Sequence, residues 1–168
     1  MILVPGQITD GGYNMWLPVA GSTTAEVYFL RPDLNATIVI PATAERVITV
    51  SAYNSLNGTF APFSGRGTEN YELLQKPDLS APGVNINTCS VGGGYRAVTG
   101  TSFSTPFVAG ACALLMEYGI VQGNDPYLYG EKMRAVLNGG AVPLSFQEQV
   151  PDEMSGYGRL CVYNSIRL

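Results

Sequence analysis

The chain has 168 residues, 46% of them hydrophobic and 13% charged, and its formal net charge is -4 at pH 7. That length allows one domain with a packed core, and a high apolar content with little charge argues against intrinsic disorder. The acidic balance without a Lys/Arg cluster argues against nucleic-acid binding, and no apolar run is expected to be long enough to cross a bilayer.

Residues 1–41 have the composition of short β-strands. The first five lack the basic region and the cleavage site of a signal peptide, so none is predicted and the cellular location stays open. Segments 13–18, 25–30 and 36–40 are rich in aromatic and β-branched residues and are separated by turn residues. Three strands alone would leave unpaired edges, so we predict the tail of a larger sandwich or jelly roll, or a segment laid against a partner.

From residue 42 the pattern becomes that of an α/β protein. Segment 46–53 is almost continuously apolar, as in a strand of a parallel sheet that is covered on both faces. Shorter strands are predicted within 76–83 and over 95–99, and the three consecutive glycines at 92–94 predict the tip of a loop.

Two helices are predicted in the last part of the chain. The first spans about 105–118 and is apolar on nearly all sides, so we expect it to lie inside the domain. The second follows 124–126, where a capping residue precedes proline at the first helical position, and it ends near Asn138. A turn and a last short element follow over 156–163. The second helix has one apolar face, formed by Met133, Val136 and Leu137.

Ser102 is the candidate nucleophile of the chain. It lies between Gly100 and the start of the first apolar helix, so its backbone N–H is predicted to be at the positive end of a helix dipole. Such a donor stabilises an oxyanion during acyl transfer, and losing one costs about 3 kcal/mol. Pro106 has no N–H and fits the first helical turn, while Gly100 and Thr101 are candidate substrate-binding residues. The plainer alternative is a serine that caps a buried helix.

The residues around Ser102 resemble a known signature. Residues 100–110 read Gly-Thr-Ser-Phe-Ser-Thr-Pro-Phe-Val-Ala-Gly and match the serine signature of the subtilisin-like proteases, the subtilases. Four further segments are similar to that family in order and spacing: the proline-led strand at 41–52, the Phe-Ser loop at 63–67, the Lys-Pro-Asp segment at 76–83 and the Gly-Tyr-Gly at 156–158.

This resemblance implies a fold and a function. Residues 42–168 would be the C-terminal half of a subtilase catalytic domain, an α/β fold with mostly parallel strands. Residues 1–41 would be the end of an inserted β jelly roll, as in the bacterial spore-germination protease branch, to which residues 123–132 are also similar. Ser102 would be the nucleophile of a serine endopeptidase, with its own N–H in the oxyanion hole.

The other members of the catalytic triad are not expected in this chain. In subtilases the Asp, the His and the oxyanion-hole Asn precede the Ser, and they would lie before Met1. The chain has no His, and a serine without a base is a poor nucleophile, so we expect the chain alone to be inactive. The carboxylates of the chain are expected to be turn, cap or surface residues, namely Asp10, Asp33, Asp78, Asp125 and Asp152.

Other functions were weighed against the protease. A pseudoprotease, or a regulatory or binding module on a subtilase scaffold, stays open, and a family motif without its His would favour it. A β-rich binding module at 1–41 would need its aromatic residues on the surface as a ligand platform. A role in a hydrophobic core is more typical of such residues. An α/β-hydrolase is excluded because Ser104 stands where the Gly-x-Ser-x-Gly motif needs its second glycine.

Cofactors and partners follow from the same considerations. No cofactor is expected, and without His or a Cys-x-x-Cys pair zinc has no plausible site. Subtilases often bind structural calcium, but no acidic cluster marks such a site. The expected partners are a peptide or protein substrate, the missing N-terminal half of the catalytic domain, and further copies of the chain through open sheet edges; nucleic acid and membrane are not expected.

Overall fold

The computed structural model describes residues 15–17, 27–68 and 75–167. The chain divides into two units, 1–33 and 34–168, so this division lies before the domain boundary predicted after residue 41. In the first unit, none of the described residues lies in a helix or a strand. The strands predicted at 13–18 and 25–30 are therefore not formed in their described parts, and the rest of both lies outside the described residues.

The strand predicted at 36–40, in the second unit, is wrong. Ala36 lies in a bend with a positive φ of 53°, residues 37–39 have no regular secondary structure, and Ile40 lies in a turn. Two backbone hydrogen bonds hold them to the loop at 66–67: Ala36 N–H donates to Gly67 O at 2.7 Å, and Thr37 N–H donates to Arg66 O at 2.9 Å. The segment therefore pairs with a loop instead of joining a strand ladder.

A three-stranded sheet lies at the centre of the second unit. Strand β1 (Val50–Asn54) pairs in parallel with β3 (Leu79–Pro82), and β2 (Thr59–Phe60) pairs antiparallel with the end of β1. The parallel pair confirms the predicted α/β class. β1 begins four residues after the predicted start at residue 46. Residues 46 and 47 lie in a turn and a bend, and the Val47 carbonyl accepts a hydrogen bond from Lys76 Nζ.

A β-hairpin leads from the sheet to the serine motif. Strands β4 (Ile86–Cys89) and β5 (Tyr95–Val98) pair antiparallel, and the three glycines at 92–94 form the predicted loop tip, all with positive φ. Strand β5 was predicted and β4 was not, because its sequence Ile-Asn-Thr-Cys has little apolar content.

Helix α1 (Thr101–Met116) continues as a π-helical turn, Glu117–Val121. It begins four residues earlier than predicted, so Ser102 lies within its first turn. Pro106 is consequently the sixth helical residue and not part of the first turn, and it cannot donate to the Ser102 carbonyl four residues before it. Ser and Thr have only modest helix propensity, so propensity alone does not explain the early start. Contacts of Gly100 and Ser104 with the end of β3 explain it.

One side of α1 packs on β1 and β3, and the rest faces solvent. The buried side is Ser104, Val108, Ala111 and Leu115, whereas Leu114 and Val121 are well exposed. The expectation that this helix lies inside on all sides is therefore wrong for the described structure. The expectation that no apolar run could cross a bilayer is corrected too. The helix over 101–121 contains an 18-residue window with a mean hydropathy of 1.4, so by length and composition alone it could cross a membrane.

Helices α2 (Gly130–Gly140) and α3 (Val162–Ser165) complete the second unit. α2 begins after Tyr129, so the predicted cap at 124–126 is wrong; Asn124 lies in a bend and Pro126 in a turn. Its predicted apolar face is confirmed. Met133 and Leu137 are buried and Val136 packs against the same core, together with Leu79, Ala81, Val108, Ala111, Leu115 and Leu128.

Candidate active site

Ser102 lies, exposed, in the first turn of α1. Gly100 directly precedes the helix. Its φ of 153° and ψ of 157° form a backbone conformation that residues with a Cβ rarely adopt. The first N–H groups of a helix have no acceptor within it, and the described part of the chain offers none to Ser102 N–H. The hydroxyl and this donor are therefore both available to a ligand at the positive end of the helix dipole.

The carboxyl end of β3 holds this turn in place. Gly100 N–H donates to Gly83 O at 2.8 Å, and Ser104 Oγ donates to Pro82 O at 3.1 Å. A Cβ on Gly83 would lie 2.5 Å from Ser104 Oγ and 2.7 Å from the Ala52 Cβ, so only glycine fits this contact. These contacts start the helix at Thr101 and fix Ser102 beyond the carboxyl ends of the two parallel strands.

Asp78 lies at the opposite end of β3 and has a structural role. Its buried carboxylate accepts a hydrogen bond from Thr49 N–H at 2.7 Å and forms an ion pair with Lys76 Nζ at 2.6 Å. Arg134 of α2 lies 3.8 Å from its other oxygen. A strand rises about 3.3 Å per residue, so the four residues from Asp78 to Pro82 separate this carboxylate from the Ser102 turn by about 13 Å.

The other two aspartates of the second unit also serve turns. Asp125 accepts a hydrogen bond from Tyr127 N–H and pairs with Lys132 at 2.6 Å. The hydrogen bond from Lys132, more than that of Tyr127 N–H, holds the pKa of Asp125 below its usual value. The buried Asp152 accepts from both the N–H and the Oγ of Ser155. Asp10 lies outside the described residues.

The described site therefore offers a candidate nucleophile and a candidate oxyanion donor, and no base is found beside them among the described residues. The chain contains no His, and within the described ranges Ser102 Oγ has no hydrogen-bond partner. Gly100 and Thr101 directly precede Ser102 and are partly buried, and their substrate-binding role stays a prediction. Among the described residues no three His, Cys, Asp or Glu side chains come together as a metal site would require.

A cavity beside Ser102 was not predicted from the sequence. It has a volume of about 280 Å³ and lies between the β4–β5 hairpin and the first two turns of α1. One sequence signal could have indicated this cavity: Phe103 and Phe107 are four residues apart, and residues at i and i+4 share a helix face. Its lining residues are Ile86, Asn87, Thr88, Phe103, Pro106 and Phe107.

Comparisons with known proteins point to one family. Residues 20–158 match the model of the subtilase family. The serine protease AprX of Bacillus subtilis is 34% identical, over 65% of this chain and 27% of that protein. A subtilisin of Bacillus pumilus is 43% identical, over 48% of this chain and 26% of that protein.

Solved structures agree with these relatives. The structure of the Clostridium perfringens CspB protease matches with a TM-score of 0.80 and 45% identity, over 83% of this chain and 30% of that chain. The structure of the prenylagaramide maturation protease PagA matches with a TM-score of 0.64 and 29% identity, over 80% of this chain and 46% of that chain. The chain spans less than a third of the length of the AprX, subtilisin and CspB proteins.

Proposed function

Because this chain belongs to the subtilase family of serine proteases, we propose that it carries the nucleophile of a serine endopeptidase, Ser102. In the proposed reaction Ser102 Oγ attacks the carbonyl carbon of a peptide bond, and its proton passes to a histidine outside this chain. The carbonyl oxygen becomes an oxyanion, which Ser102 N–H helps to stabilise. The substrate is accordingly a peptide or a protein.

One observation carries this proposal: Ser102 is exposed in the first turn of a helix with both its hydroxyl and its N–H unpaired within the described chain. A serine that merely capped the helix would place its oxygen on an N–H of the first turn, and α1 has no side-chain cap. The Gly83, Gly100 and Ser104 contacts hold that serine rigidly, as a nucleophile that must meet a substrate carbonyl requires.

We propose that the chain alone is inactive. Its proposed partner is the remaining part of the catalytic domain. A serine hydroxyl needs an adjacent base, and removing single members of a triad abolishes most of the rate acceleration. The relatives are three to four times as long as the segments that match this chain, which leaves room for the Asp, the His and the substrate-binding strands.

A fluorophosphonate probe tests this function, because it reacts with an activated serine. The isolated chain should remain unlabelled, whereas a protein in which the rest of a subtilase catalytic domain precedes this chain should be labelled at Ser102. Ser102→Ala should abolish that labelling, and Thr105→Ala, an exposed hydroxyl one turn along the same helix, should leave it unchanged. Rapid labelling of the isolated chain would contradict the need for the missing part. A longer protein that contains the triad His yet stays unlabelled would favour the pseudoprotease.

A further inference from the structure

Arg96 is the only charged residue from Leu79 to Met116, the part of the chain that forms β3, the β4–β5 hairpin and helix α1. It lies on β5, the strand that leads into the Ser102 turn, and it is exposed. Among the described residues no carboxylate forms an ion pair with its guanidinium. Four other cations of the second unit do have such a partner, namely Arg46, Lys76, Lys132 and Arg134.

We propose that Arg96 determines specificity in the cleavage reaction by binding an acidic side chain of the substrate, a few residues from the scissile bond. The proposal rests on the proposed protease function and deepens it. It narrows the substrate from any peptide to one that carries Asp or Glu close to the bond that is cleaved.

The register of the hairpin turns Arg96 toward α1. Arg96 is paired with Thr88 of β4, and directly paired residues of an antiparallel ladder project from the same face. Thr88 and Ile86 are half-buried, whereas the residues that alternate with them along β4 are exposed. Thr88 and Ile86 also line the cavity of about 280 Å³ together with Phe103 and Phe107 of α1. The Arg96 side chain therefore leaves the hairpin on the face that is turned to the first turns of the serine-bearing helix.

The distance from Arg96 to the nucleophile suits a nearby substrate residue. Gly100 follows Arg96 by four residues, which is about 13 Å of extended chain. A substrate that reaches Ser102 in an extended conformation has the same rise per residue. Its side chains about two to four positions from the scissile bond therefore lie within reach of a long arginine side chain.

The charges around the site favour an acidic residue over a basic one. A guanidinium donates two parallel hydrogen bonds to a carboxylate, which makes arginine well suited to this pairing. The next carboxylates along the chain are remote: Asp78 pairs with Lys76 at the other end of β3, and Glu117 follows α1, about 24 Å from the start of that helix. An acidic substrate side chain is thus attracted without competition from these two carboxylates, and a basic one is repelled.

An acidic residue in the remaining part of the catalytic domain is the competing partner for Arg96. Such a fixed pair would contribute to the stability of the folded protein whichever substrate is present. A substrate carboxylate instead changes kcat/KM for one class of peptide. Stability and substrate preference therefore separate the two partners.

Cleavage of a peptide library tests the proposal, with a protein in which the rest of a subtilase catalytic domain precedes this chain. Each peptide carries one Glu, Gln or Lys at a single position within about four residues of the scissile bond, on either side. At one position the Glu peptide should have a kcat/KM about threefold higher than the Gln peptide, as expected for one exposed ion pair, and the Lys peptide should have the lowest. Added salt should weaken this preference.

Three variants assign the preference to Arg96, with circular dichroism to verify that each is folded. Arg96→Glu should invert the order of the three peptides at that position, and Arg96→Lys should retain most of it because the charge is kept. Arg46→Glu is the matched control and should leave the order unchanged. Arg46 is exposed and precedes β1, at the opposite end of that strand from Ser102.

Equal kcat/KM values for the three peptides, or an order that Arg96→Glu leaves unchanged, would overturn the proposal and leave the protease function intact. A loss of thermal stability in Arg96→Glu with an unaltered Glu preference would also overturn it, since the partner of Arg96 would then be an acid in the rest of the domain. A wild-type protein that cleaves no peptide of the library would contradict the protease function and this inference together.

Discussion

Gly83 and Ser104 are in such close contact that a Cβ on Gly83 would lie 2.5 Å from Ser104 Oγ. Gly83 follows the last residue of β3, and Ser104 belongs to the first turn of α1, two residues after the proposed nucleophile. This single contact therefore sets how closely the helix that carries Ser102 approaches the end of the parallel sheet.

Replacing Gly83 should destabilise the chain. In Gly83→Ala the new methyl group meets Ser104 Oγ at 2.5 Å and the Ala52 Cβ at 2.7 Å, and both neighbours are buried. We expect a loss of about 1–3 kcal/mol in the free energy of unfolding, the usual cost of overpacking, measured by urea denaturation. Gly110→Ala is the matched control, because that position is open and helical, and it should be neutral or stabilising. Equal losses for both variants would contradict the proposed contact.

The buried ion pair at the start of β3 predicts a large effect of Asp78. Asp78→Asn leaves the Lys76 ammonium buried without its counter-charge, so we expect a loss of about 3 kcal/mol or more in the free energy of unfolding at pH 7. Asp125→Asn removes a partly exposed carboxylate from a pair with the exposed Lys132 and should cost far less. If chemical denaturation shows a larger loss for Asp125→Asn than for Asp78→Asn, that result would contradict the structural role assigned to Asp78.

The pH dependence of stability should include a contribution from Asp125. Its pKa is lowered in the folded chain, chiefly by the hydrogen bond from Lys132, so the folded state favours the ionised form. That contribution is present above the pKa of Asp in the unfolded chain and is lost as the pH falls through the lower folded pKa. The stability difference between wild type and Asp125→Asn should thus be constant near neutral pH and shrink in acid, as a denaturation series over pH would record.

The cysteines should differ in reactivity toward a thiol reagent. Burial raises the pKa of the Cys112 thiol in α1, so less of the reactive thiolate is present at neutral pH. Cys89 is exposed on β4 and should react faster in the folded chain. In a kinetic assay with a chromogenic disulfide, Cys89→Ser should remove the fast phase and Cys112→Ser should leave it intact. Loss of the fast phase in Cys112→Ser would contradict the burial of the Cys112 thiol in α1.

Several features of the fold were predictable because their causes are local. The glycine run at 92–94 has a conformational freedom that makes a loop tip, and the spacing of Met133 and Leu137 matches a helix with one buried face. The parallel pairing of β1 and β3 followed from an apolar run that suits a sheet covered on both sides. The strand predicted at 36–40 failed because β-branched composition cannot supply a partner strand.

The sequence by itself determined the family and the identity of the candidate nucleophile, because the run from Gly100 to Gly110 combines a glycine, a serine and an apolar helix in an order specific to one class of protease. Only the tertiary structure decided where α1 begins, since its start depends on contacts with Pro82 and Gly83, far back along the chain. It also decided which sides of α1 are covered, because a helix that is apolar all round does not specify which of its faces the rest of the chain will meet.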